Sequence, residues 1–207
     1  MYLPDHFRVE DRGRLFDIIR RNPLAMLATS GPGGLLVNAV PMLLDEQRNV
    51  LRGHVARANP VWRDLEQGIE CVAAFQGEDY YVSPNWYPSK AHTHKVVPTW
   101  NYVMVQVRGK TQTFHDAAWL RTLVGDLTTR HESAQPKPWA VEDAPVEFVD
   151  AQLRAIVGVE IAIERIDGKF KVSQNRTAVD REGVASHLST DGKADSAKLV
   201  RELGGKI

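Results

Sequence analysis

The longest β-type stretch of the chain runs from Val97 to Phe114, where Tyr102, Met104, Gln106 and Arg108 alternate with Val103, Val105 and Val107. A period of two over so long a run demands a strand with one face in a core, and a strand of that length must be central and must bend. Gly109 marks the expected bulge or bend. Trp100 and Asn101 stand side by side just ahead of the valines, so one of them faces away from the core. Either the Asn101 amide meets the edge of an aromatic ligand, or Trp100 is core and Asn101 bonds to a neighbouring loop.

The rest of the chain supplies partners for that strand. Leu15, Ile18 and Ile19 at helical spacing, with Pro23 beyond, predict a helix over 11–21. Leu24 to Thr29 and Leu35 to Leu44 flank Ser30-Gly31-Pro32-Gly33-Gly34 and read as a hairpin. Val50 to Val55 reads as a third strand, and Asn59-Pro60 opens a helix over 60–67. Two short strands are expected at Ile69 to Phe75 and Tyr80 to Val82, followed by an aromatic, proline-rich loop to Lys95. Further helices are expected over 116–133, capped by Asp116, and from about Val146 to Leu153; a last core strand over 156–163 ends in a turn at Asp167-Gly168. Two helices at 179–188 and 194–203 finish the chain. Six or seven mostly short strands with helices at the ends predict an α+β, mainly β protein: a small antiparallel barrel with peripheral helices. Residues 1–177 form the barrel domain and 178–207 a C-terminal helical extension.

Composition excludes several classes. With 43% hydrophobic and 25% charged residues over 207 positions, the chain is neither collagen-like nor disordered. Its 26 basic and 26 acidic residues cancel, so there is no broad field to gather nucleic-acid phosphates. Cys71 is alone and forms no intrachain disulfide. No signal peptide is apparent and no apolar run approaches the ~18 residues of a membrane span, so a cytoplasmic protein is expected, with no membrane partner.

Four segments carry candidate chemistry. Gly53-His54-Val55-Ala56-Arg57-Ala58-Asn59-Pro60 joins a strand to a helix, where amides without helical partners favour an anion; Arg57 and Asn59 add donors and His54 points from the strand end. The bland alternative is that Asn59 and Pro60 only start the helix. Ser83 and Trp86 lie in an aromatic loop, Thr99, Trp100 and Asn101 open the long strand, and Gln174, Asn175 and Arg176 offer donors in a row. His92 and His94 lack a third ligand at metal-site spacing, so no metal is expected. No serine stands in a nucleophile elbow, and no catalytic residue is assigned.

In this order the segments resemble the PaiB family, the FMN-binding negative transcriptional regulators of the split-barrel flavin-binding fold, related to pyridoxamine phosphate oxidase. The resemblance rests on Met1-Tyr2-Leu3-Pro4, Gly53 to Pro60, Phe75-Gln76-Gly77, Tyr81 to Tyr87, Val97-Pro98-Thr99-Trp100-Asn101-Tyr102 and Gly168 to Arg176. It implies a split antiparallel β-barrel and a homodimer with FMN in a cleft between the two barrels. Arg57 and the Asn59 helix start would take the phosphate. Trp100 and Asn101 would face the ring or ribityl chain, Gln174, Asn175 and Arg176 would close the site, and His54, Ser83, Trp86 and Thr99 would complete it. The family name implies a transcriptional regulator with DNA as a partner, which the charge balance supports weakly; Lys193, Lys198 and Arg201 are the basic residues available. The alternative is a flavin-dependent oxidoreductase or a haem-binding split barrel without direct DNA binding.

Overall fold

The computed structural model describes residues 1–204. In chain order the elements are β1 (Arg8–Val9), α1 (Arg12–Arg21), β2 (Leu24–Gly31), β3 (Gly34–Asp45), β4 (Val50–Ala56), α2 (Val61–Glu66), β5 (Glu70–Val82), α3 (Lys90–Thr93), β6 (Thr99–Phe114), α4 (Ala117–Glu132), α5 (Val146–Arg154), β7 (Ile156–Ala162), β8 (Arg165–Lys171), α6 (Ala178–Thr190) and α7 (Ala194–Leu203). Among the described residues eight strands form one sheet in the order β1-β8-β6-β5-β2-β3-β4-β7, and β7 pairs back onto β6. Six of them, β6-β5-β2-β3-β4-β7, therefore close on themselves, so every strand of this ring is paired on both sides, while β8 and β1 extend the sheet from β6. This is the mainly β, antiparallel barrel with peripheral helices that the patterning predicts. Among the described residues no helix is long and apolar enough to cross a membrane.

The described residues fall into two compact units. The second unit, Ile19–Phe75 with Gln106–Ile166, holds most of the ring. There β2 and β3 make the expected hairpin, from Leu24↔Pro41 to Gly31↔Gly34, and β3 then leaves β2 to pair with β4 from Met42↔Gly53 onward. β4 pairs with β7 along its whole length, and β7 with β6 from Thr111↔Ile161 to Phe114↔Gly158. Leu27, Met42, Leu51, Phe75, Val159 and Ile161 are buried here. Gly109 is required because a Cβ would stand 1.6 Å from the Ala162 carbonyl oxygen, closer than any side chain can approach. α4 starts as predicted, with the Asp116 carboxylate accepting from the Trp119 amide at 2.8 Å.

The first unit comprises Met1–Ile18, Gln76–Val105 and the described residues from Asp167 onward. β1 pairs with β8 at Arg8↔Lys169 and Val9↔Gly168. α6 and α7 bury Val184, Leu188, Val200 and Leu203 in this unit.

Three expectations need correction. Among the described residues strands number eight, not six or seven, and β3, β5 and β6 are long, at 12, 13 and 16 residues. The two strands expected at Ile69–Phe75 and Tyr80–Val82 are one, β5. Its buried positions shift from odd (Cys71, Ala73, Phe75) to even (Tyr80, Val82) across the polar Gln76 to Asp79, and that change of phase mimics a break in the sequence. Asp167-Gly168 is not a turn but the middle of β8. Gly168 serves close packing there, since a Cβ would meet Leu15 at 2.2 Å.

Candidate functional site

The first unit carries a groove of about 630 Å³ lined by Tyr2, Trp100, Tyr102, Met104, Lys169 and the polar pair Gln76 and Asp79, with Met1 at its edge. Strand parity explains it. On β6, Asn101, Val103 and Val105 are buried, so Trp100, Tyr102 and Met104 project from the opposite face. Trp100 is 56% exposed and makes a T-shaped contact with Tyr81, at 6.0 Å between centroids. Of the two neighbours singled out in the sequence, the amide is the buried one and the indole the open one.

Asn101 is held inside. Its Nδ2 donates to Ser173 Oγ at 2.9 Å and to the Tyr80 hydroxyl at 3.3 Å, while its buried Oδ1 meets no donor among the described residues. Ser173 takes the left-handed conformation, φ 67°, uncommon for a residue with a side chain. Burial pushes the Tyr80 phenol up to about 12, so it stays protonated. Gln174 bonds the backbone on both sides, accepting from Val172 N at 2.8 Å and donating to the Phe170 carbonyl. Asn175 is exposed, and the Arg176 guanidinium lies over the Tyr87 ring, 4.9 Å from its centroid. Ser83 accepts from Asn85 N, starting a short turn, and Trp86 stacks on His187 of α6 at 5.3 Å.

Two lysines of β8, Lys169 and Lys171, were not among the candidate site residues of the sequence. Lys169 is only 8% exposed; its ammonium donates to the Tyr2 carbonyl at 3.1 Å and faces the Tyr2 and Tyr102 rings at 5.5 and 5.3 Å. Lys171 donates to Thr99 Oγ1 and the Trp100 carbonyl. Burial, then the charges of Lys169 and Arg176, hold the Lys171 ammonium below the usual lysine range.

His54, Arg57 and Asn59 lie in the second unit, at and beyond the end of β4. Arg57 Nε donates to the Arg154 carbonyl at 2.7 Å, Nη2 to the Ile156 carbonyl at 2.8 Å, and Nη1 lies 3.0 Å from His115 Nδ1. An arginine can only donate, so Nδ1 is the acceptor and the His115 proton sits on Nε2, 3.2 Å from Glu66. The Nε–Nη2 edge that would grip a phosphate side-on thus holds backbone. Asn59 donates to Asn38 at 2.8 Å and accepts from Val61 N, and α2 behind it has six residues. His54 is half-buried; burial lowers its pKa below the usual 6.5, and its Nδ1 meets no partner among the described residues. Cys71 is buried in β5, its thiol pushed up to about 12, which removes it as a nucleophile.

Residues 1–165 match the model of the family described as "Putative FMN-binding domain". An uncharacterized protein of Emericella nidulans is 36% identical over 231 residues, covering 92% of each chain. The protease synthase and sporulation protein PAI 2 of Bacillus subtilis is 25% identical over 209 residues, covering 100% of this chain and 98% of its own. Among solved structures, a flavocytochrome from Azotobacter vinelandii has a TM-score of 0.59 at 13% identity, over 79% of this chain and 69% of its own. A FAD and heme binding protein from Mycobacterium smegmatis has 0.58 at 17%, over 80% and 73%. These two establish the split-barrel fold. With a family match over most of its length and relatives along all of it, the chain belongs to the FMN-binding domain family of PaiB-like proteins.

Proposed function

We propose that the chain binds FMN with the flavin ring in the groove of the first unit. The observation that carries this reading is the exposure of Trp100 on a strand face shared with Tyr102 and Met104. Aromatic faces receive a planar ring by stacking, and the groove volume lies in the usual range for small-molecule sites. Gln76 and Asp79 offer an amide and a carboxylate at its edge. Thr99, Asn101 and Gln174 work from behind: they fasten the start of β6 and the turn after β8, so Trp100 is presented rigidly. Asn175, open to solvent, and Arg176, over Tyr87, stand ready at that turn, while Ser83 and Trp86 anchor the preceding loop to α6. Arg57 and Asn59 take a holding role in their own unit. Bound FMN supplies one- and two-electron redox chemistry at its ring. Flavin-fluorescence titration tests the reading: wild type should saturate with FMN, and Trp100→Ala should bind it markedly less well.

The family name adds gene regulation, and we read that role as indirect. Arg201 donates twice to Glu182 and Lys198 lies 3.7 Å from Glu202, so the basic residues of α7 already face acids. We also propose a homodimer, supported by the hairpin. Residues 22–44 contain no charged side chain, and Leu24, Met26, Leu35, Leu36 and Val37 are exposed there. An uncharged apolar surface of this kind suits a second copy of itself.

A further inference from the structure

We propose that residues 1–4 form a latched arm that closes over the flavin ring, with Tyr2 as the cover and Lys169 as the latch, so that FMN leaves only when the arm lifts. The inference rests on the groove reading above and names how that site opens and closes. Tyr2 is 84% exposed, yet it lines the groove together with Trp100, Tyr102 and Met104. A lone exposed aromatic is ordinary. This one belongs to an aromatic groove, and its hydroxyl makes no hydrogen bond among the described residues, so its ring is free to pack on a planar ligand.

The arm has a fixed foot and a single tie. Phe7 is buried, its amide donates to the Pro4 carbonyl at 2.9 Å, and the next residue, Arg8, stands opposite Lys169 in the β1–β8 register. Ahead of that foot, Pro4 fixes its own φ and keeps Leu3 extended, which makes the arm stiff. The tie is Lys169 again. Its ammonium reaches back to donate to the Tyr2 carbonyl at 3.1 Å, and it lies 5.5 Å from the Tyr2 ring and 5.3 Å from that of Tyr102. One residue therefore holds both the foot and the tip of the arm, and it brings two groove rings to a shared cation. Among the described residues no other hydrogen bond holds Met1, Tyr2 or Leu3. The net strength of such a bond is modest, because water replaces the carbonyl when it breaks, so the latch is reversible.

The test is the kinetics of FMN binding and release, followed by flavin fluorescence after rapid mixing and after dilution. It compares wild type, Tyr2→Ala, Tyr2→Phe, Lys169→Met and the double variant Tyr2→Ala/Lys169→Met. Tyr2→Ala should release FMN about fivefold faster or more, the share of one aromatic stacking contact. Its association rate should be no lower than that of wild type, and its unfolding midpoint without FMN unchanged. Tyr2→Phe keeps the ring and should match wild type. Lys169→Met should also speed release, and the double variant should be no faster than Tyr2→Ala, since a latch without a cover holds nothing. Release at the wild-type rate from Tyr2→Ala or from folded Lys169→Met overturns the proposal. Slower association or a lowered midpoint in Tyr2→Ala, or additive effects in the double variant, overturn it as well. Should Lys169→Met fail to fold, Tyr2→Ala and Tyr2→Phe decide alone. Failure of the groove reading looks different: Trp100→Ala then binds FMN as wild type does, or wild type binds none, and the arm falls with it.

Discussion

Arg57→Ala separates a holding role from a ligand-binding one. The guanidinium ties three groups together: the carbonyls of Arg154 and Ile156, at the junction of α5 and β7, and the His115 ring. Its backbone continues the same seam, with the amide donating to the Ala155 carbonyl and the carbonyl accepting from the Trp62 indole. Hydrogen bonds from a charged donor contribute about 1.5–3 kcal/mol when protected from water. Here one of the three is part-buried and two are exposed, so full weight goes to the Ile156 bond and a fraction to the others. The loss comes to about 2–3 kcal/mol, which for a chain of this size lowers the melting temperature by about 4–12 °C. Arg57→Lys should recover little, because one ammonium does not span three acceptors. Urea unfolding of the FMN-free protein, with m unchanged, is the assay. An unfolding midpoint equal to that of wild type, together with weaker FMN binding, would refute the reasoning and return Arg57 to the phosphate.

Three other outcomes follow from the structure. His54 resists protonation in the folded state and takes a proton freely when unfolded; stability is therefore full above pH 6.5 and falls as pH drops below it. His54→Gln should flatten that slope in unfolding curves between pH 5 and 7.5. At about 0.15 M salt the protein alone should show no saturable, sequence-specific DNA binding by anisotropy; binding lost on changing Lys193, Lys198 and Arg201 to Gln would contradict the neutralised α7. Sedimentation should return a dimer, and Leu35→Asp with Val37→Asp a monomer that keeps its fold; an unchanged mass would remove the hairpin from the interface.

The fold was legible where one physical signal dominated. The alternation around Val103, Val105 and Val107 placed β6, helical spacing placed α1 and α4, and Asp116 announced its own cap. It was not legible where a signal has two meanings. A glycine marks a turn or a close approach, and only the neighbouring Leu15 shows that Gly168 is the second kind. Gln76 to Asp79 look like a loop because their polarity hides a strand changing its buried face. The site residues divide in the same way. Trp100 stood out as a chemical anomaly, and its orientation follows from parity with Tyr102 and Met104. Arg57 was chosen for its charge, whereas its partners come from Arg154 and Ile156, nearly a hundred residues away, which local spacing cannot foresee. Lys169 carries no local mark of its burial, because the Tyr2 and Tyr102 rings it faces come from distant parts of the chain.

The central claim is that FMN enters the groove beside Trp100. Its most direct test is the tryptophan and flavin fluorescence of the protein during titration with FMN. Wild type should show saturable quenching of both signals, and Trp100→Ala, verified as folded by its unfolding midpoint, should lose about tenfold or more in affinity, in line with a lost base-like stacking contact of ~1–3 kcal/mol. Equal FMN affinity in wild type and Trp100→Ala would contradict the account and place the flavin elsewhere on the chain.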